Sequence, residues 1–197
     1  MNVKTKNGRQ VNISKFNLAD TESLADYFYH LSDESKKRYG PHPFDQQFIA
    51  DLFSTHADYL GYIAREPGDD KIIAYSVIKL GFLPQDHDRL KSYGIFPDPE
   101  TDATFAPSVA DAWQSCGLGN KVFRFILSDL MQKGIRRIIL WGGVQSTNDK
   151  AVGFYMKNGF RELGQFEHNG NNIDMMLEIT ETATPSASPV KSERSSG

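Results

Sequence analysis

The order of elements between residues 101 and 144 constrains the fold more than any other feature of the chain. Residues 101–109 are predicted to form a strand, residues 119–133 a helix and residues 135–144 a second strand. The helix has one broad apolar face and is followed by Gly134, and the second strand is an apolar run typical of burial on both faces. This order predicts a right-handed crossover and a pair of parallel strands.

The connection that leads into the helix contains two glycines, Gly117 and Gly119. The first N–H groups of a helix have no partner within it, and the helix dipole favours negative charge there. Glycine permits positive φ and lets a phosphate approach the backbone closely. The loop therefore predicts a pyrophosphate site, although a tight connection without a ligand has the same composition.

Two known nucleotide motifs do not fit this loop. The dinucleotide fingerprint needs a third glycine at the position of Val122. The P-loop needs lysine after its last glycine, and Gly119 is followed by Asn120. A nucleotide-binding α/β domain is therefore the less favoured interpretation.

Residues 114–119, Gln-Ser-Cys-Gly-Leu-Gly, resemble the acyl-coenzyme A loop of the GNAT acetyltransferase superfamily. That loop has the pattern Gln/Arg-x-x-Gly-x-Gly/Ala, and the valine that usually lies five residues earlier is Val109. This chain departs from the family at Asp111, where proline is common, and at Ser115, where glycine is common. The resemblance implies acetyl-coenzyme A as co-substrate, without a metal. The residues that it implies for binding are Val109, Gln114, Ser115, Cys116, Gly117, Leu118, Gly119 and Asn120.

A second stretch, Asn148 to Phe160, is similar to the family pattern Asn-x-x-Ala-x-x-Phe/Tyr-Tyr-x-Lys-x-Gly-Phe. The resemblance implies that Asn148 contacts the coenzyme and that Tyr155 lies near its sulfur. Residues 31–38 also resemble a GNAT segment that borders the acceptor site. His42 follows that segment, so it is a candidate for substrate contact; a packed or solvated histidine is the alternative.

The chemistry of amide formation suggests a proton-donating role for Tyr155, and this argument does not depend on the family resemblance. A phenol with a pKa of about 10 is protonated at neutral pH, so it can protonate a departing thiolate. The alternative is a packed core tyrosine. For the base, the resemblance favours a carboxylate near the start of the strand that precedes the loop, Asp102 or Glu100. Asp111 is a third candidate, although it is more typical of a turn cap.

The resemblance implies a GNAT-like α/β (α+β) fold in residues 1–180. We expect a mixed central sheet of six to seven strands, about four flanking helices and a splayed parallel strand pair at the coenzyme site. Residues 84–100 are long and polar for a connection, which indicates a lid or binding loop rather than a bare turn; a solvated excursion is an equal alternative. Residues 181–197 are rich in Ser, Thr, Pro, Lys and Glu, and are predicted to be a disordered tail.

Composition limits the classes of partner. A net charge of −3 indicates no basic surface for nucleic acid, and one cysteine, Cys116, excludes an intramolecular disulfide. Cys116 also lies inside the predicted phosphate loop, where an acyl-enzyme role does not fit. No apolar run is long enough for a membrane span, so a cytoplasmic location is expected. The protein is expected to be a monomer or a homodimer.

These observations predict an N-acetyltransferase that moves an acetyl group from acetyl-coenzyme A to a primary amine of a small molecule or peptide. The amine would attack the thioester directly in a ternary complex. The alternative is an inactive acyl-coenzyme A sensor or partner-binding module that keeps the fold.

Overall fold

One mixed β-sheet runs through the protein in a computed structural model that describes residues 1–69 and 71–180. The described residues contain nine strands, more than the six to seven predicted. The strands are β1 (Asn2–Lys4), β2 (Gln10–Lys15), β3 (Tyr59–Arg65), β4 (Ile72–Leu80), β5 (Asp102–Val109), β6 (Arg137–Leu140), β7 (Val144–Gln145), β8 (Arg161–Glu167) and β9 (Asn171–Glu178).

Six α-helices cover the two faces of the sheet in the described residues, compared with about four predicted. They are α1 (Thr21–Tyr29), α2 (Asp33–Arg38), α3 (Gln46–Thr55), α4 (His87–Ser92), α5 (Leu118–Gln132) and α6 (Asp149–Lys157). The additional helices α2 and α4 have six residues each. Since α2 has no apolar residue, its sequence has no helical periodicity that would predict it.

The strand order is β1-β2-β3-β4-β5-β6-β9-β7, with β8 paired to β9. Every pair is antiparallel except β5 with β6, which confirms the predicted parallel pair. Alternate residues of β3 and β4 face two different cores. Tyr62 packs with α5 on one face, and Ile63 packs with α1 and α3 on the other.

The parallel pair separates at its carboxyl end, as predicted. Its last paired residues are Phe105 and Leu140, and the Trp141 N–H donates to the Phe105 carbonyl at 3.0 Å. Gly142 and Gly143 then adopt positive φ of 62° and 74°, so the chain turns away toward β7. This turn ends β6 at Leu140, whereas an unbroken strand was predicted to residue 144. β5 continues along β4, and a cleft opens beside it.

None of the helices in the described residues is long and apolar enough to cross a membrane. The tail predicted for residues 181–197 lies outside the described residues. The single-domain assignment to residues 1–180 stays a prediction.

Candidate active site

The edge of β5 that faces the cleft carries backbone groups that are not paired with another strand; of these, the Val109 carbonyl accepts from the Gln114 side-chain amide at 3.3 Å. The Ala110 N–H donates to the Ile73 carbonyl of β4 at 2.9 Å. Because backbone groups alternate between the two sides of a strand, the Val109 N–H and carbonyl point away from β4 and toward the cleft. Pro107, two residues earlier, has no N–H to donate on that same side. A proline inside a strand is typical of an edge, so Pro107 was a signal of this opening in the sequence.

The loop after β5 presents backbone amides over residues 115–120. Within the described part of the chain, no acceptor is found for these six N–H groups. The Gln114 N–H is already bonded to the Asp111 carbonyl at 3.3 Å, so it does not contribute. Gly117 precedes α5 with φ of 84°, and Ser115 has φ of 61°. Ser115 thus adopts the left-handed backbone conformation at a position where glycine is common in the family.

Most side chains of this loop do not face a ligand. Leu118 is completely buried in the core, and the Cys116 thiol donates to the Trp113 carbonyl at 2.9 Å. A Cβ on Gly119 would lie 3.3 Å from the Phe154 ring, so glycine lets α5 approach α6 closely. The Asn120 side chain accepts from Asn158 at 2.9 Å. These residues therefore offer a ligand their main chain.

A cavity of about 690 Å³ lies against these amides and against the N-terminal part of α6. Its lining includes basic side chains from three separate segments, namely Lys6, Arg38 in α2, and Lys150 and Lys157 in α6. Lys6 was not predicted, since it lies far from the loop in sequence. Its own N–H donates to the Cys116 carbonyl at 3.0 Å, which places its side chain beside Gly117. Free amides together with these cations suit a polyanion.

A second cavity, of about 680 Å³, lies on the other side of the cleft. The segment predicted as a lid or binding loop forms part of its wall through Gln85, Asp86 and Arg89. This segment is fixed rather than solvated, because Leu90 is buried and Arg89 pairs with Asp86 at 2.9 Å and with Asp174 at 2.6 Å. Burial raises the pKa of Asp86, and the Arg89 guanidinium opposes that shift.

The two cavities meet along a shared wall. The residues that line both are Arg38, Tyr39, Pro107, Asn148, Ala151 and Tyr155. The Asn148 side-chain Oδ1 caps α6 by accepting from the Ala151 N–H at 3.2 Å, which leaves the side-chain NH2 for a ligand. Asn148 therefore lies at the junction of the cavities.

Tyr155 lies at this junction with its ring packed against Phe105, Phe154 and Phe160. Its hydroxyl has no hydrogen-bond partner among the residues that the structure describes. Burial raises the pKa of Tyr155 well above the ordinary value. The phenol is therefore protonated at neutral pH and faces both cavities.

Asp102, the predicted base, lies at the opposite end of β5 and lines neither cavity. It is fully buried and accepts two hydrogen bonds from Arg137, at 2.6 and 2.8 Å, and one from the Asp98 N–H at 2.8 Å. Glu100 precedes it on the same side of the molecule and is exposed. The structure thus does not bring Asp102 together with Tyr155.

Asp111, the third candidate for the base, connects the loop to α2. Its carboxylate accepts from the Ser32 N–H and hydroxyl, both at 3.0 Å, and from the Ser35 hydroxyl at 2.7 Å. Burial opposes ionisation, but the bonds from Ser35 and Ser32 prevail and lower the pKa of Asp111. Asp111 thereby fixes the position of α2 against the cleft.

His42 is a packed histidine and lines neither cavity. Its Nδ1 lies 2.7 Å from the Pro43 carbonyl and its Nε2 lies 3.0 Å from the Tyr75 hydroxyl. Burial lowers the pKa of His42 despite the hydrogen bond to Pro43. Its neighbours are the aromatic rings of Phe28, Tyr39, Phe48 and Tyr75.

Residues 24–160, more than half of the chain, match the Acetyltransferase (GNAT) family. The chain belongs to the GNAT acetyltransferase family. No curated protein sequence matches it. The family match confirms the predicted GNAT membership, the mixed α/β fold and the splayed parallel pair. It supports acyltransferase chemistry at the level of the family.

Solved structures of other GNAT proteins share this fold. The GNAT domain of S. lividans PAT has a TM-score of 0.71 and 22% identity, over 91% of this chain and 96% of that one. The putative acetyltransferase yncA from Salmonella typhimurium, solved with acetyl-CoA, has a TM-score of 0.62 and 17% identity, over 90% and 99%. The paiA N-acetyltransferase from Thermoplasma acidophilum, solved with coenzyme A, has a TM-score of 0.59 and 16% identity, over 86% and 99%.

Proposed function

We propose that this GNAT protein transfers an acetyl group from acetyl-coenzyme A to a primary amine of a small molecule or peptide. One observation carries the proposal: a protonated phenol without a partner, on Tyr155, lies where a cavity suited to a polyanion meets a second cavity. Both reactants can then be bound together, with the reacting atoms at the junction.

The coenzyme would enter from the side of the basic cavity. Its pyrophosphate would accept from the amides of residues 115–120, and Lys6, Lys150 and Lys157 would lie around its phosphates. The pantetheine arm would run along the open edge of β5, as an added strand does. That path leads the thioester to the junction beside Tyr155 and Asn148.

The amine would attack the thioester carbonyl from the second cavity. A C–N bond forms as the carbonyl oxygen takes up negative charge, which the Val109 N–H would stabilise. The C–S bond then breaks, and the thiolate leaves with the electron pair and takes the proton of the Tyr155 hydroxyl. The amine loses one proton, an equivalent proton returns to the Tyr155 phenolate through solvent, and the products are an amide and free coenzyme A.

We place the acceptor of the amine proton at Asp86, directly or through water. Asp86 lines the second cavity, and its raised pKa makes it a stronger base than an ordinary carboxylate. Asp102 has no such access, because Arg137 holds it at the far end of β5. The proposed mechanism therefore does not use Asp102.

Release of free thiol from acetyl-coenzyme A in the presence of a panel of primary amines tests this function. We expect amine-dependent thiol release by the wild-type protein. In Tyr155→Phe, kcat should fall roughly ten- to a thousandfold while acetyl-coenzyme A still binds, since only the proton donor is lost. The control is Tyr29→Phe, because Tyr29 is 78% exposed.

Binding of acetyl-coenzyme A without thiol release on any amine would favour the inactive sensor instead. Tighter binding of NAD or ATP than of coenzyme A would favour a nucleotide-binding domain. An unchanged kcat in Tyr155→Phe would remove the proton-donor role and leave the transferase activity.

A further inference from the structure

The turn between β1 and β2, residues 5–9, is closed by its own hydrogen bonds. The Thr5 N–H donates to the Arg9 carbonyl at 2.9 Å, and the Gly8 N–H donates to the Thr5 carbonyl at 3.1 Å. Thr5 is buried, and its hydroxyl donates to the Asn7 side chain at 2.6 Å. The turn therefore has a defined shape.

This turn is fixed to the loop that precedes α5 by two separate contacts. One is the hydrogen bond from the Lys6 N–H to the Cys116 carbonyl at 3.0 Å. In the other, the Arg9 guanidinium lies 3.2 Å from the centroid of the buried Trp113 ring, which is a cation–π contact. Arg9 also pairs with Glu66 at 3.4 Å. The position of Lys6 beside the loop is therefore set by the fold and does not depend on a ligand.

The aliphatic part of the Lys6 side chain lies across Gly117. Its Cγ, Cδ and Cε are 3.2, 3.4 and 3.4 Å from the point where a Cβ on Gly117 would be. The Nζ atom is one bond beyond Cε, and Lys6 lines the basic cavity. An anion oxygen that accepts from the Gly117 N–H lies about 3 Å from that nitrogen. The Lys6 ammonium can therefore reach an anion that is bound to this amide.

The Lys6 ammonium is accessible and carries an uncompensated charge. Lys6 is exposed, and no carboxylate pairs with it in the part of the chain that the structure describes. Arg38, a second cation of the same lining, is instead paired with Glu34 at 2.8 Å. Lysine next to free backbone amides is a common arrangement for binding phosphate.

We propose that Lys6 is a specificity-determining residue of the coenzyme site, and that its ammonium binds the pyrophosphate of coenzyme A and not the 3′-phosphate. The inference rests on the proposed function. Lys6 adds a charged ligand, from a turn far earlier in the chain, to the amides of residues 115–120. An acyl donor without the pyrophosphate would lose this contact.

The variant Lys6→Met tests this assignment, because methionine keeps an unbranched apolar chain over Gly117 and removes the ammonium. Coenzyme A and 3′-dephospho-coenzyme A both contain the pyrophosphate, and only the first contains the 3′-phosphate. Calorimetry should show that Lys6→Met raises the Kd of both ligands by the same factor, roughly three- to tenfold.

The control is Lys4→Met, since Lys4 is an exposed lysine of the same hairpin that lines neither cavity. Both Kd values should stay within about twofold of wild type in this variant, because a distant exposed charge is screened. The Tm of Lys6→Met without ligand should stay within about 2 °C of wild type, which separates loss of a ligand contact from loss of folding.

A rise in the Kd of coenzyme A alone would place Lys6 at the 3′-phosphate and overturn the assignment. Unchanged Kd values for both ligands, or an equal rise in Lys4→Met, would also overturn it. If the wild-type protein does not bind coenzyme A, the proposed function and this inference fail together. If it binds coenzyme A but releases no thiol with any amine, the proposed function fails, and the Kd values of Lys6→Met still decide the role of Lys6.

Discussion

Backbone conformation at single residues decides the shape of the proposed phosphate site. Ser115 and Gly117 both have positive φ, and only the second is a glycine. A non-glycine residue in the left-handed region costs about 1–2 kcal/mol, which Ser115 already incurs. The resemblance identified this departure from the family, and the structure shows that serine accommodates the same turn.

Gly117→Ala should destabilise the protein and weaken acetyl-coenzyme A binding. The added Cβ would sit at φ of 84°, which costs about 1–2 kcal/mol, and 3.2 Å from the Lys6 side chain. The matched control is Gly134→Ala, since Gly134 has φ of 79° but lies after α5, outside both cavities. Calorimetry should show a similar loss of stability in both variants, and a higher Kd for acetyl-coenzyme A only in Gly117→Ala. Equal Kd values would contradict a role for this turn in binding.

Some residues of the candidate site can be predicted from the sequence, and others cannot. Tyr155 and the glycine loop belong to motifs with fixed spacing, so their place in the cleft followed from the resemblance. Lys6 belongs to no such motif, and its place beside Gly117 depends on the tertiary surroundings. Asp86 likewise becomes a candidate base only where folding buries it beside the second cavity.

At the scale of elements, two short segments, α2 and β7, form part of the wall of the second cavity. The helix α2 lacks apolar residues, and its N-terminus is held by hydrogen bonds from Ser32 and Ser35 to Asp111. The long helix α5 was predicted to within one residue at each end, because it carries strong apolar periodicity. Periodicity is absent from α2 and from the two-residue strand β7, so only tertiary contacts define them.

The segment that follows α2 makes stability depend on pH through His42. Burial lowers the pKa of His42, so the folded state holds the neutral form where the unfolded chain already binds a proton. This contribution is present above the unfolded pKa of about 6.5 and is lost as pH falls below it.

Chemical denaturation between pH 7.5 and 5 measures this effect, with those pH limits chosen to span roughly the ordinary histidine pKa. We expect the wild-type protein to lose more stability on acidification than His42→Gln, which has no titrating group at this position. His30→Gln is the control, because His30 lies on the surface and is exposed. Parallel curves for wild type and His42→Gln would show that His42 does not contribute.

At the scale of the whole molecule, the separation of two parallel strands creates the site. Two features explain where β5 and β6 separate. Pro107 in β5 has no N–H to donate on the side of the cleft, and Gly142 and Gly143 turn the chain away after β6. Residue patterns alone place a coenzyme loop at the carboxyl end of β5, but they do not identify the base. Asp102 lies seven residues before Val109, which is about 23 Å along a strand at ~3.3 Å per residue. Its distance from the cleft follows from the strand direction.

The central claim is that the amides of residues 115–120 and of Val109 bind acetyl-coenzyme A. Titration of ¹⁵N-labelled protein with acetyl-coenzyme A, followed by ¹H–¹⁵N correlation spectra, tests it most directly. The account predicts that these amide resonances shift most, while those of Asp102 and Gly134 stay nearly unchanged. Saturable shifts centred elsewhere, or none at all, would contradict it.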